Sequence, residues 1–160
     1  MHAGTPEEQK FDASGHRFAL VAARFHGDIV DRLIAGAKVA LARHQVAPKD
    51  ISVFRCPGAF EIPQVAARLT ATNEFDAILC FGCVIRGETA HFDYVAGETA
   101  RGVSQLALTA HVPVLFGVLT TENREQALDR AGGKHGNKGS DTALAALEMI
   151  ALYAELERKV

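Results

Sequence analysis

Tryptophan is missing from this chain of 160 residues, and aromatic side chains make up only 7% of it. The 48% hydrophobic content therefore leans on Ala, Val, Leu and Ile, which suits helices packed closely on a sheet. Excess charge of one sign is also absent: 17 basic residues face 19 acidic ones, for a formal net charge of −2. That balance argues against nucleic acid or an anionic membrane as partner, so any anion site must be local. No apolar run reaches the roughly 18–20 residues needed to span a bilayer. The segment Met1–Asp12, with Pro6, Glu7 and Glu8, lacks the apolar core of a signal peptide. Cysteine is limited to Cys56, Cys80 and Cys83. An odd number on largely apolar segments reads as reduced thiols, and the expected location is the cytoplasm. Cys80-Phe81-Gly82-Cys83 has C-x-x-C spacing, but a strand sends the two thiols to opposite faces. No second Cys or His pair completes a metal site, so no metal is expected.

What is present is one domain's worth of chain, able to bury roughly 70% of its unfolded surface. Residues 1–15 read as a flexible N-terminal arm ending in the turn-like Asp12–Gly15, and residues 16–160 as a single α/β domain. Apolar runs predict strands over Arg17–Ala23, Asp50–Arg55, Asp76–Gly82 and Pro113–Leu119. Between them lie helical patterns over Asp28–His44, from about Pro63, over Phe92–Ala110 and over Arg124–Ala131. A Gly/Lys loop, Gly132–Gly139, then precedes a last helix on which Ala145, Met149, Leu152 and Leu156 share a face. Alternation of fully apolar strands with helices predicts a three-layer α/β/α sandwich around a four-stranded parallel sheet, flavodoxin-like in class. Several helices carry apolar or small residues around more than half their circumference, which points to oligomerisation.

In open parallel sheets, ligands bind beyond the carboxyl ends of the strands. That rule selects the loops Arg24–Gly27, Cys56–Ile62, Cys83–His91 and Thr120–Asn123. Phe25 is either a rim core residue or a flat wall for a planar ring. Glu61 either favours a helix dipole or binds hydroxyls or a protonated amine. Gly87-Glu88-Thr89 is either a plain turn or a loop that offers N–H groups to a phosphate. His91, beside it, is either a surface or capping residue or a proton donor and acceptor suited to neutral pH. Arg130 and Lys138 are surface cations or phosphate partners. The segment GGKHGNKGS fails the P-loop pattern, because Asn137 stands where a glycine is required and no strand leads into it.

Taken together, ARF at 23–25, PGAFEIP at 57–63, G-x-VIRGET-x-HFDYV at 82–95, FGVLTTEN at 116–123, EQALDRAG at 125–132 and KHGNKG at 134–139 resemble one family. It is the 6,7-dimethyl-8-ribityllumazine synthases, the penultimate enzymes of riboflavin biosynthesis. The resemblance spans about Phe18 to Leu152 and keeps family order and spacing. It implies condensation of 5-amino-6-(D-ribitylamino)uracil with 3,4-dihydroxy-2-butanone 4-phosphate, without metal or organic cofactor. By motif, Phe25 would stack on the pyrimidine, Ala59, Phe60 and Glu61 would hold the ribityl chain, and the backbone of Cys83, Val84 and Ile85 would line the ring. Glu88 and Thr89 would bind the phosphate through the loop backbone, Arg130 would clamp it, and Lys138 would also contact substrate. Phe116 would close the ring pocket from a neighbouring subunit, and His91 matches the proton donor. Two positions depart from common family patterns: His26 stands where Asn is frequent, and Cys83 where Thr or Val is.

The resemblance also implies a homo-oligomer, a pentamer or a sixty-subunit shell of pentamers, and admits association with a riboflavin synthase. The tight KHGNKG turn favours the icosahedral shell, whereas Pro6 disfavours an arm that adds a strand to a neighbour's sheet. Two other readings stand beside the synthase. One is a different phosphate-handling lyase or transferase. The other is a flavin-binding protein or storage shell that uses the same Phe25.

Overall fold

The computed structural model describes residues 10–160; Pro6, Glu7 and Glu8 lie outside the described residues. Four strands form one parallel sheet: β1 (Phe18–Ala23), β2 (Ile51–Cys56), β3 (Ala77–Ile85) and β4 (Val114–Thr121), in the order β2-β1-β3-β4. Every residue of β1 is buried, so its alternate side chains feed two cores. Phe18, Leu20 and Ala22 join one with α1 (Gly27–Arg43) and α5 (Lys138–Lys159). Ala19, Val21 and Ala23 join the other with α2 (Ile62–Ala71) and α3 (His91–Thr109). This is the three-layer sandwich expected of near-continuous apolar strands.

β3 and β4 are longer than the sequence pattern predicts. β3 continues to Ile85 because Cys83, Val84 and Ile85 pair with Leu119, Thr120 and Thr121 of β4. Pairing carries both strands past the end of β1, so the loop after β3 shrinks to Arg86–Ala90. The Gly/Lys loop is a second departure. Ala131–Gly133 (β5) and Gly136–Asn137 (β6) form an antiparallel hairpin, with Gly132 at φ 96° and Gly136 at φ 77°. Strands of three and two residues are too short for any periodicity to reveal. The hairpin leads straight into α5, where a Cβ on Gly139 would collide with the Leu33 carbonyl of α1. Only glycine lets the two helices approach so closely.

That approach also decides which face of α5 is buried. Its buried residues are Gly139, Thr142, Ala143, Ala146 and Leu147, whereas Leu152 is 41% and Leu156 50% exposed. The stripe Ala145, Met149, Leu152 and Leu156 is apolar but does not make the core of this chain. Small residues took the inner face because backbone proximity, not side-chain bulk, sets the α1–α5 contact. At the other end of the domain, the Phe11 N–H donates to His44 Nδ1 at 3.1 Å and the Ala13 N–H to the His44 carbonyl at 2.9 Å. These bonds tie the end of the expected arm to the C-terminus of α1. Among the described residues no helix is long and apolar enough to cross a membrane.

Candidate active site

The strand order reverses between β1 and β3: α1 leaves β1 on one face, and α2 enters β3 from the other. Such a switch point opens a crevice at the carboxyl edge of the sheet. A cleft of about 620 Å³ lies there. It takes residues from the ends of β1 (Phe25, His26), β2 (Pro57 to Glu61) and β3 (Cys83 to Ile85), then from the loop and start of α3 (Gly87, Thr89, His91, Phe92, Tyr94, Val95).

The exits of β1 and β2 are tied together: the Arg24 N–H donates to the Cys56 carbonyl at 2.8 Å and the Phe25 N–H to the Pro57 carbonyl at 3.2 Å. Phe25 is 71% and Phe60 54% exposed. Two large rings left uncovered at a cleft mouth are not core residues and offer flat apolar surface. Glu61 accepts from the Gly58 N–H through Oε2 at 3.0 Å, the back half of a capping box on the short 3-10 turn Ala59–Glu61. One carboxylate thus shapes the turn and faces the cleft.

Beyond Ile85 the chain forms the loop Arg86–Ala90, and α3 starts at His91. Among the described residues the N–H groups of Gly87, Glu88, Thr89 and Ala90 have no protein acceptor. They sit at the positive end of a 19-residue helix, which favours an anion. The Thr89 hydroxyl accepts from the His91 N–H at 3.3 Å, so a side chain of the loop fastens the residue that carries the imidazole. His91, Tyr94 and Val95 fall three and four residues apart and share one helix face on the cleft.

The thiols are shielded. Cys83 borders the cleft, but its side chain packs in the α1–α5 core, and burial pushes it up to about 11. Cys80 packs in the other core, and burial, helped by nearby Cys56, pushes it up to about 12. The C-x-x-C pair therefore points to opposite faces. Cys56 is also raised, first by burial and then by Glu61. None of the three is a ready nucleophile.

A second cleft, of about 470 Å³, opens beside the end of β4 and is lined by Val118, Leu119, Thr120, Arg130, His135, Lys138 and Asp141. It shares no residue with the first. The hairpin builds it: the His135 N–H donates to the Asp129 carbonyl at 2.7 Å and the Lys138 N–H to the Arg130 carbonyl at 2.8 Å. These bonds gather an arginine, a lysine and an imidazole around one cleft.

Residues 15–154 match the family model described as 6,7-dimethyl-8-ribityllumazine synthase. The chain belongs to that family. Members are transferases of riboflavin biosynthesis that form the lumazine, and this chain is such an enzyme.

Within this lumazine synthase fold, Phe25, Ala59, Phe60, Glu61, Cys83, Val84, Ile85, Thr89 and His91 all border one cleft. Glu88 is exposed and contributes no lining surface; its backbone N–H belongs to the loop. Arg130 and Lys138 are brought together, but in the second cleft. Phe116 borders neither: it shares a face of β4 with Val114 and Val118, yet is 37% exposed on an edge strand. Sequence reasoning missed Phe92, Tyr94 and Val95; the 3–4 spacing from His91 would have flagged Tyr94 and Val95, but not Phe92. His26 was noted only as a departure from pattern. It takes φ 53°, ψ 44° as the residue before α1, a left-handed conformation in which Asn is better tolerated than His.

Proposed function

We propose that the aromatic cleft condenses 5-amino-6-(D-ribitylamino)uracil with 3,4-dihydroxy-2-butanone 4-phosphate to give 6,7-dimethyl-8-ribityllumazine, phosphate and water. The observation that carries this is the convergence of three features in one crevice: exposed rings for a heterocycle, acceptor-free amides for a phosphate, and His91 in the same lining. Phe25 stacks on the pyrimidine. Ala59, Phe60 and Glu61 hold the ribityl chain, and the backbone of Cys83, Val84 and Ile85 forms the ring wall. The phosphate rests on the N–H groups around Glu88 and Thr89.

Imine formation, loss of phosphate, tautomerisation and ring closure move protons without net electron transfer, so the reading needs no metal or organic cofactor. His91 supplies and takes back those protons. The phosphate is anchor and leaving group at once, and a dipolar loop stabilises it as it departs. Holding two intrinsically reactive molecules together supplies much of the acceleration.

Arg130, Lys138 and Phe116 come from a neighbouring subunit and complete the cleft. The placement of the cations in a separate pocket of the same chain supports this. So does α3, on which only Thr99 and Val103 are buried while Tyr94 is 71% and Leu108 85% exposed. The assembly is a cytoplasmic pentamer or a sixty-subunit shell of pentamers, with riboflavin synthase as a partner that takes the product onward.

Mixing the purified protein with both substrates tests the reading. The lumazine chromophore should form well above the spontaneous rate. Tight flavin binding without acceleration would make the chain a binding protein instead.

A further inference from the structure

Arg86 lies where the ring wall ends and the anion loop begins, yet it does not border the cleft. Its backbone N–H donates to the Thr121 carbonyl at 2.9 Å, one step beyond the last β3–β4 pair. Its side chain then makes three contacts on two other segments. Nε donates to Glu122 Oε2 at 2.8 Å and a terminal nitrogen to Asp93 Oδ1 at 3.2 Å. The guanidinium carbon sits 4.3 Å from the centre of the Phe92 ring. One residue therefore joins the exit of β3, the exit of β4 and the first turn of α3. The loop Gly87–Ala90 hangs between two points that the same side chain fixes.

This arrangement has two physical consequences. Acceptor-free amides bind an anion well only if they are already aligned, because a mobile loop must first lose entropy. Arg86 sets both ends of the loop and limits that loss. Asp93 and Glu122 are also carboxylates beside a loop meant for a phosphate. Left unpaired, they would repel it; bonded to a guanidinium, they are partly neutralised. Lysine cannot reproduce the planar fork that serves two carboxylates on different segments while stacking on a ring.

We infer that Arg86 is a positioning residue for the phosphate end of the butanone substrate, acting through the loop Gly87–Ala90 rather than on the substrate itself. The inference rests on the proposed condensation and adds to it a residue that sets affinity for one of the two substrates.

The test is steady-state kinetics of the assembled enzyme with each substrate varied in turn, alongside inhibition by inorganic phosphate. Arg86→Gln should raise KM for the butanone phosphate about five- to tenfold, the combined loss of two exposed ion pairs and a cation–π contact. Inhibition by inorganic phosphate should weaken by a similar factor. KM for the pyrimidine should change by less than about twofold, since the ring wall is untouched. Arg86→Lys should recover only part of the loss.

Unchanged KM for the butanone phosphate in Arg86→Gln would overturn the inference. A parallel rise in both KM values with a lowered Tm would too, because that marks a general structural role. Full recovery in Arg86→Lys would show that a point charge suffices and would reject positioning. Should Arg86→Gln fail to fold, Glu122→Gln removes one strut and should raise the same KM about twofold; no change there would count against the inference. A wild-type protein that does not accelerate lumazine formation defeats the proposed function itself. An active wild type with indistinguishable Arg86 variants defeats only this inference.

Discussion

The two clefts at the carboxyl edge of the sheet differ in almost every property. The first is lined by Phe25, Phe60, Phe92 and Tyr94 with a single imidazole pair, His26 and His91. The second holds Arg130, Lys138 and His135 against Asp141. The aromatic cleft has exposed rings, acceptor-free amides and an imidazole at His91, but no lysine or arginine in its lining. The basic cleft has the cations but no phenylalanine or tyrosine. On the function proposed above, each cleft is half of a site for a flat heterocycle and a phosphate, and a working site forms where the aromatic half of one subunit meets the basic half of the next.

The comparison breaks first at its cations. Arg130→Gln should lower kcat/KM for the butanone phosphate by about 10²-fold or more, as removal of a charged partner from a phosphate does. It should leave binding of the pyrimidine within about twofold. Phe25→Ala should do the reverse and raise KM for the pyrimidine about tenfold. Equal effects of the two variants on both substrates would dissolve the distinction. Next in size is His91→Ala, which should slow turnover by no more than about 10²-fold, the low end of general acid–base effects. Proximity carries the rest, and total loss with binding intact would contradict that division of labour.

Smaller effects sharpen the picture of the aromatic cleft. Cys83 is raised to about 11 and Cys80 to about 12 by burial, so both keep their protons at neutral pH. The native enzyme should resist iodoacetamide there and lose no activity, whereas the unfolded chain should alkylate fully. The same shifts fix a sign: the native state holds thiol protons that the unfolded state releases. The stability they contribute is whole below about pH 8.5 and falls as pH rises toward 11 and 12. Denaturation midpoints measured across that window check it. Smallest of all, His26→Asn should stabilise the protein by about 0.5–1 kcal/mol by easing a left-handed residue. Thermal melting would show it, with kcat unchanged within about twofold.

Much of this was legible in the residues. Arg17–Ala23 read as a buried strand, and the observed β1 (Phe18–Ala23) is buried throughout. The edge rule then selected the loops that hold Phe25, Glu61 and His91. The lengths of β3 and β4 were not legible, because pairing of Val84 with Thr120 and Ile85 with Thr121 extends each strand through its partner. No local pattern encodes a partner. Nor was the β5–β6 hairpin, whose glycines signal a turn without saying that two short strands pair. Nor was the core face of α5 legible. Leu152 and Leu156 are the bulkier residues, but Gly139, Ala143 and Ala146 are the ones pressed against α1. Separation of the two clefts belongs to the same class, since Arg130 and His91 are equally good phosphate neighbours until the fold sets them on different flanks.

The central claim is that one working site takes its aromatic half from one subunit and its basic half from the next. Co-expressing Arg130→Gln chains with chains that carry both Phe25→Ala and His91→Ala tests it most directly. If the halves meet between subunits, random mixing leaves about a quarter of the sites with both halves intact. The mixed assemblies should then recover about a quarter of wild-type activity from two nearly inactive parents. Activity that stays at the average of the two parents, in assemblies shown to contain both chains, would place the whole site within a single chain and contradict the account.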